Sequence, residues 1–168
     1  MRHSRVLLTR QFQHYKQHPI EGISFELQGD DLHTWDVTIF GPQGTPLEGG
    51  VFKAVLNFPD DYPMSPPKMK FLTPMFNPNI YPSGEVCISI LHSPGDTTDI
   101  LLSGERPEER WSPVQTPESI CLSVISMLVD PNPESPANVD AAVAFREDRK
   151  SYEQKVRRLA QRSIEELP

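Results

Sequence analysis

Eighteen prolines punctuate this 168-residue chain, and sixteen of them fall between Pro42 and Pro136. Proline fixes φ and has no backbone N–H, so helix interiors and central strands both reject it. The crowding confines long helices to the two ends and to one window near residue 120. Before that window only short strands with turns between them fit. The order is helix, strands, helices, which predicts an α+β fold rather than a wound parallel sheet.

Leu8, Phe12 and Tyr15 fall at i, i+4 and i+7, one face of a helix that ends before Pro19. Short apolar runs then predict strands over 23–27, 35–40, 51–58 and 68–71, with turn formers between them that leave His33 in a turn. Connections this short imply a four-stranded antiparallel meander. Residues 73–116 contain no long element. Thr116-Pro117-Glu118 starts a helix with a mechanism: a hydroxyl N-cap, proline at the first helical position and an acid in the first turn. Ile120, Cys121, Val124, Ile125 and Leu128 mark its apolar face, so this central helix is expected to be buried. A last helical region opens near Ala137, with Tyr152, Val156 and Leu159 on one face. The whole of 1–168 reads as one domain.

The net charge of −7 argues against a nucleic-acid binder, whose affinity comes from neutralising phosphates. The charge is unevenly placed. Arg2, Arg5, Arg10 and Lys16 stand in the first 20 residues with no acid, a balance of +4, which leaves 12 basic against 23 acidic groups, or −11, for the rest. That basic end suits steering toward an acidic protein partner, and it equally fits a solvated helix face. Its arginines resemble a presequence only faintly, because they read well as the first helix. Apolar runs fall far short of the roughly 20 residues of a membrane helix, so no direct membrane insertion is expected.

Two cysteines are too few for a disulfide framework, and no C-x-x-C pattern proposes zinc, so no metal and no cofactor is expected. Reducing, cytoplasmic conditions follow from the same count. Cys121, among Ile120, Leu122 and Val124, reads as a small core hydrophobe. Cys87 follows a run of turn formers that keeps near the surface, so it is either a nucleophile or one more buried thiol. A cysteine hydrolase would need a histidine base within reach of Cys87; His92 is the one histidine near in sequence, and nearness in sequence does not decide hydrogen-bond reach. Asn79 is either a donor to an oxyanion, worth roughly 3–4 kcal/mol, or an asparagine that holds its own turn.

Asn77-Pro78-Asn79-Ile80, followed by Gly84-Glu85-Val86-Cys87-Ile88-Ser89-Ile90-Leu91, resembles the active-site signature of ubiquitin-conjugating enzymes. The resemblance continues in Tyr62-Pro63-Met64-Ser65-Pro66-Pro67, in Trp111-Ser112-Pro113 and in Asp130-Pro131-Asn132-Pro133. Together these motifs are highly specific. The interval from Cys87 to Trp111 is similar to that of the branch with an acidic insertion beside the active site, which includes enzymes of cell-cycle and endoplasmic-reticulum-associated degradation.

The resemblance implies a ubiquitin-conjugating-enzyme fold. It further implies that Cys87 accepts ubiquitin from the activating enzyme as a thioester and passes it, with a RING-type ligase, to lysines of protein substrates or of ubiquitin, in degradation-type chains. Asn79 would stabilise the oxyanion or order the loop, with Asn77 in place of the family's usual histidine and Ser135 in place of a frequent acidic gate residue. Met64, Pro113, Val114 and Arg5 would meet the ligase, Arg5 and Arg10 the activating enzyme, and Leu122 and Ser126 the donor ubiquitin. A thioester is already activated, so positioning would carry much of the transfer without a base beside the cysteine. The insertion, at about 92–110, carries Asp96, Asp99, Glu105, Glu108 and Glu109 against Arg106 and Arg110, with Ile100-Leu101-Leu102 at its centre. It reads as a lid over the acceptor or as a plain surface loop. The implied location is the cytoplasm, the nucleus, or the cytosolic face of the endoplasmic reticulum through a partner. Rival readings are conjugation of another ubiquitin-like modifier, a catalytically silent adaptor of the same fold, and the hydrolase.

Overall fold

The computed structural model describes residues 2–95, 105–134 and 136–167. Helix α1 (Arg2–Gln17) stops ahead of Pro19 as its spacing predicts. Leu8 on its inner face is fully buried, and Phe12 and Tyr15 meet Trp35 edge-on, with ring centroids 5.3 and 6.5 Å away.

Strands β1 (Ile23–Gln28), β2 (Asp31–Phe40), β3 (Val51–Asn57) and β4 (Lys68–Phe71) pair in chain order, each antiparallel to the next. This is the expected meander. β1 runs one residue further than expected, to Gln28, and β3 stops one sooner, at Asn57; the larger difference is that β2 begins at Asp31, not at Trp35, so His33 lies inside the strand rather than in a turn. The Asp31 carboxylate accepts the His33 N–H at 2.9 Å and the Thr34 hydroxyl at 2.8 Å, so the polar residues open the strand.

Register explains the core. Ile23, Ile39 and Phe52 form one cross-strand row; Phe25, Val37, Ala54 and Phe71 form the next; Leu27, Trp35, Leu56 and Met69 form the third. All but the partly buried Leu27 are core residues on one face, each large side chain contributing roughly 1.5–3 kcal/mol by leaving water. The alternate residues, such as Ser24, Glu26 and Lys53, point to solvent, as a period of two requires.

Helix α2 (Pro117–Val129) has the expected start. Thr116 Oγ1 accepts the Ser119 N–H at 3.1 Å and Ser119 Oγ accepts the Thr116 N–H at 2.8 Å, a reciprocal cap worth about 1 kcal/mol. Burial, however, is one-sided. Ile120, Cys121, Val124, Met127 and Leu128 face the core, while Leu122 and Val129 are exposed. The last helical region is two helices, α3 (Val139–Glu147) and α4 (Arg149–Glu165). Asp148 makes the joint: its N–H closes α3 on the Ala144 carbonyl, and its carboxylate accepts the Ser151 N–H at the start of α4. The α4 stripe runs through Tyr152, Val156 and Ala160, with Leu159 beside it and only half-buried. Ser163 Oγ accepts the Val51 N–H at 2.9 Å and ties α4 to β3.

Aromatic packing leaves the sheet through Trp35, Phe58, Tyr62 and Trp111, with successive centroids 5.0, 4.8 and 6.1 Å apart. Trp111 Nε1 donates to the Pro63 carbonyl at 2.9 Å, and the Tyr62 hydroxyl donates to Gln11 Oε1 at 3.0 Å. Two proline-bearing loops are thereby fixed to each other and to α1. Among the described residues no helix is long and apolar enough to cross a membrane.

Candidate active site

Beyond β4 the chain doubles back on itself and adds an irregular edge to the sheet. Val86 N–H donates to the Met69 carbonyl at 2.9 Å, and Phe71 N–H to the Gly84 carbonyl at 2.8 Å. Ile80 bridges Val86, and Cys87 N–H donates to the Asn79 carbonyl at 2.9 Å. The turn at its tip needs Gly84, whose φ of +101° lies in the region L side chains avoid. Cys87 thus sits on backbone hydrogen-bonded from the Asn79 side and spliced to the sheet edge one and three residues earlier.

Buried side chains stiffen this segment. Asn77 Oδ1 accepts the Asn79 N–H at 2.8 Å, an Asx turn in an interior position. Asn79 turns toward the loop after α2: its Nδ2 donates to the Asn132 carbonyl and its Oδ1 accepts the Asn132 N–H, both at 2.8 Å. The Pro78 carbonyl accepts the N–H groups of Ala137 and Asn138 at 2.8 and 3.1 Å. The Cys87 segment and the loop between α2 and α3 therefore move as one piece.

Cys87 is partly exposed and lines an open groove of about 1290 Å³, whose opposite wall includes Ser126, Met127 and Asp130. Cys121 is fully buried, and burial pushes its thiol up to about 12. Leu122 and Ser126 share the exposed side of α2, one turn apart, with Ser126 in the groove wall. Met64, Pro113 and Val114 are exposed on the two loops that the Trp111–Pro63 bond joins, and Arg5 is exposed on α1. Ser135 lies outside the described residues, as does the centre of the insertion with Asp96, Asp99 and the 100–102 apolar run.

The structure decides a question the spacing leaves open. His92 Nε2 lies 3.6 Å from Cys87 Sγ, so the cysteine has an imidazole beside it. The backbone explains why: a 3-10 turn over Ser89–Leu91 brings the chain round, and the His92 carbonyl accepts the Trp111 N–H at 3.0 Å. His92 Nδ1 lies 2.8 Å from both carboxylate oxygens of Glu105, so it carries a proton and donates. That leaves Nε2 toward the sulfur. Arg110, itself buried, braces the carboxylate with Nε 3.4 Å from Oε2 and donates from Nη1 to the Ser93 carbonyl at 2.9 Å. His92 is pushed up to about 9, first by its hydrogen bond with Cys87, against the pull of burial, and then by Glu105.

Glu105 and Arg110 were not singled out by sequence reasoning. Both sit in a stretch that reads as mixed surface charge, and only an arginine directly before a tryptophan hints at burial. Among the described residues no group of three histidines, cysteines or acids is placed to hold a metal ion.

Comparison with known proteins decides the family: the ubiquitin-conjugating enzyme family model matches residues 7–160. The chain belongs to the ubiquitin-conjugating enzymes. It is 52% identical over 163 residues to ubiquitin-conjugating enzyme E2 15 of Schizosaccharomyces pombe, covering 96% of each chain. It is 52% identical over 167 residues to the probable ubiquitin-conjugating enzyme E2 7 of Caenorhabditis elegans, covering 99% of this chain and 100% of that one. With human ubiquitin-conjugating enzyme E2 G2 it shares 49% identity over 161 residues, covering 94% and 96%. Membership makes this chain a transferase of ubiquitin conjugation. It also implies ubiquitin, an activating enzyme and a ligase as partners.

Proposed function

We propose that Cys87 accepts the C-terminus of ubiquitin as a thioester from the activating enzyme and passes it, with a RING-type ligase, to lysine amines of substrates or of ubiquitin, in degradation-type chains. The observation that carries this reading is the contrast between the two thiols: Cys87 opens into the groove and Cys121 is sealed in the core. In loading, the Cys87 sulfur bonds to the acyl carbon and the activating enzyme's thiolate leaves. In discharge, a lysine nitrogen bonds to that carbon and the sulfur leaves. Asn77 and Asn79 support the loop through their bonds to Asn79 N–H and to the Asn132 backbone. By the resemblance, Ser135 aligns with the family's frequent acidic gate residue. Met64, Pro113, Val114 and Arg5 form the ligase face, and Leu122 with Ser126 contacts the donor ubiquitin.

The test is a charging reaction with activating enzyme, ATP and ubiquitin, resolved with and without reductant. A reductant-sensitive adduct is expected. A folded protein that forms no adduct while a control enzyme charges overturns the reading. Cleavage of a preformed ubiquitin–lysine conjugate by a protein that forms no adduct supports a second reading, the cysteine hydrolase, whose histidine base the Cys87–His92–Glu105 arrangement would supply.

Asn79→Ala separates two roles. If the amide holds the loop, the variant loses two part-buried hydrogen bonds, about 1–3 kcal/mol of stability, and discharges onto lysine more slowly than wild type while loading is less affected. Unchanged melting temperature with slow discharge moves its role to the oxyanion; unchanged discharge removes the role.

A further inference from the structure

We propose that Lys68 is an intramolecular acceptor: ubiquitin held on Cys87 passes to the Lys68 amine of the same chain, and the isopeptide product blocks the groove. The inference rests on the thioester reading of Cys87 and adds to it a site of self-modification.

Register carries it. Phe71 N–H donates to the Gly84 carbonyl, Lys70 bridges Glu85, and Val86 N–H donates to the Met69 carbonyl, each pair one step along an antiparallel join. The next step sets Lys68 opposite Cys87. Hydrogen-bonded and non-bonded pairs alternate along such a join, and Lys68 with Cys87 falls in the non-bonded class. The backbone bonds agree: Cys87 N–H turns away to the Asn79 carbonyl, and Lys68 pairs on its other side with Asn57 of β3. In a pair of this class the Cβ atoms stand roughly 4.5–5.5 Å apart. Alternation also puts both side chains on one face, because Met69, Phe71 and Val86 are core residues while Lys68, Lys70 and Glu85 are exposed.

Reach and freedom complete the case. Lys68 and Cys87 line the same groove. Among the described residues the Lys68 ammonium has no hydrogen-bond or ion-pair partner, so its flexible four-carbon stem is free to turn toward the sulfur. The other five lysines are placed differently. Lys70 stands two residues further along the join, opposite Glu85, and Lys16, Lys53, Lys150 and Lys155 lie on α1, β3 and α4.

The step consumes no further reactant. The neutral amine adds to the acyl carbon, the nitrogen gives one proton to water, and the C–S bond breaks with its electron pair passing to sulfur. The thiolate takes a proton from water, so a thioester and an amine become an isopeptide and a thiol. Because the amine is tethered beside the acyl carbon, the step is unimolecular and independent of enzyme concentration. A free acceptor competes with it, so self-transfer is the fate of charged enzyme that meets none. Ubiquitin fixed on Lys68 then stands across the mouth of the groove and obstructs reloading of Cys87.

The experiment isolates the ubiquitin-charged enzyme, removes activating enzyme and ATP, and incubates it without added lysine. The adduct that survives reductant is followed on gels, and its attachment site is read by peptide mass spectrometry. A singly modified product on Lys68 is expected, with a first-order rate constant unchanged over about a 10-fold range of enzyme concentration. Lys68→Arg, which keeps the charge, should load and discharge onto free lysine as wild type does, yet form the resistant product at least about 10-fold more slowly. Lys70→Arg should match wild type. Charged Lys68→Arg mixed with Cys87→Ala, which retains Lys68, should transfer nothing to it. Full-rate resistant product in Lys68→Arg, attachment chiefly at another lysine, or a rate proportional to enzyme concentration overturns the proposal. So does a wild-type thioester that only hydrolyses to free ubiquitin. If Lys68→Arg cannot be charged, the attachment site in wild type decides. Failure of wild type to charge at all is a different result, and it removes the thioester reading instead.

Discussion

Cys87→Ser is expected to convert the reductant-sensitive ubiquitin adduct into one that survives reductant, because an oxygen ester replaces the thioester. Cys87→Ala should carry no adduct. Cys121→Ser should charge normally, although a hydroxyl in its fully buried place on α2 costs about 1–3 kcal/mol and lowers the melting temperature. The same contrast shows in alkylation of the native protein. Iodoacetamide should mark Cys87 at once and Cys121 only after unfolding, since the second thiol is sealed in the core and pushed up to about 12. Loss of charging in Cys121→Ser alone overturns the assignment.

Gly84→Ala should damage the site without touching a reacting atom. An added Cβ would stand 2.2 Å from the Phe71 carbonyl oxygen, which is backbone and part of β4, in a residue whose φ of +101° already disfavours a side chain. The clash can be relieved only by parting the Phe71–Gly84 hydrogen bond, the join that holds the Cys87 segment to the sheet. A loss of about 2–4 kcal/mol is expected, which for a domain of this size lowers the melting temperature by roughly 5–15 °C. Charging should slow as well, because Cys87 follows three residues later. Gly44→Ala is the control: its Cβ meets nothing within 4 Å, so only the positive φ of +75° is penalised. Equal stability of the two variants would show that the strand join does not hold the segment.

Much of the scaffold can be read locally. Thr116 before Pro117, the spacing of Leu8, Phe12 and Tyr15, and four short apolar runs each specify an element through interactions within a few residues. The reading slipped where local signals compete. Asp31 is a turn former by type, yet its side chain accepts from the His33 N–H and the Thr34 hydroxyl and the strand begins there. The 137–165 stretch has one helical rhythm, and only the capping carboxylate of Asp148 divides it.

The sequence by itself determined the α+β order, the family and which cysteine to suspect, because these rest on short-range spacing and on contiguous motifs around Cys87. Tertiary structure alone decided what surrounds that cysteine. Asn79 meets a backbone 53 residues away, and His92 meets Glu105 across 13 residues of insertion. Pairings of this kind depend on where loops return after packing. The aromatic line from Trp35 to Trp111 and the edge join at Gly84 set those return points, and no local pattern of polarity encodes them.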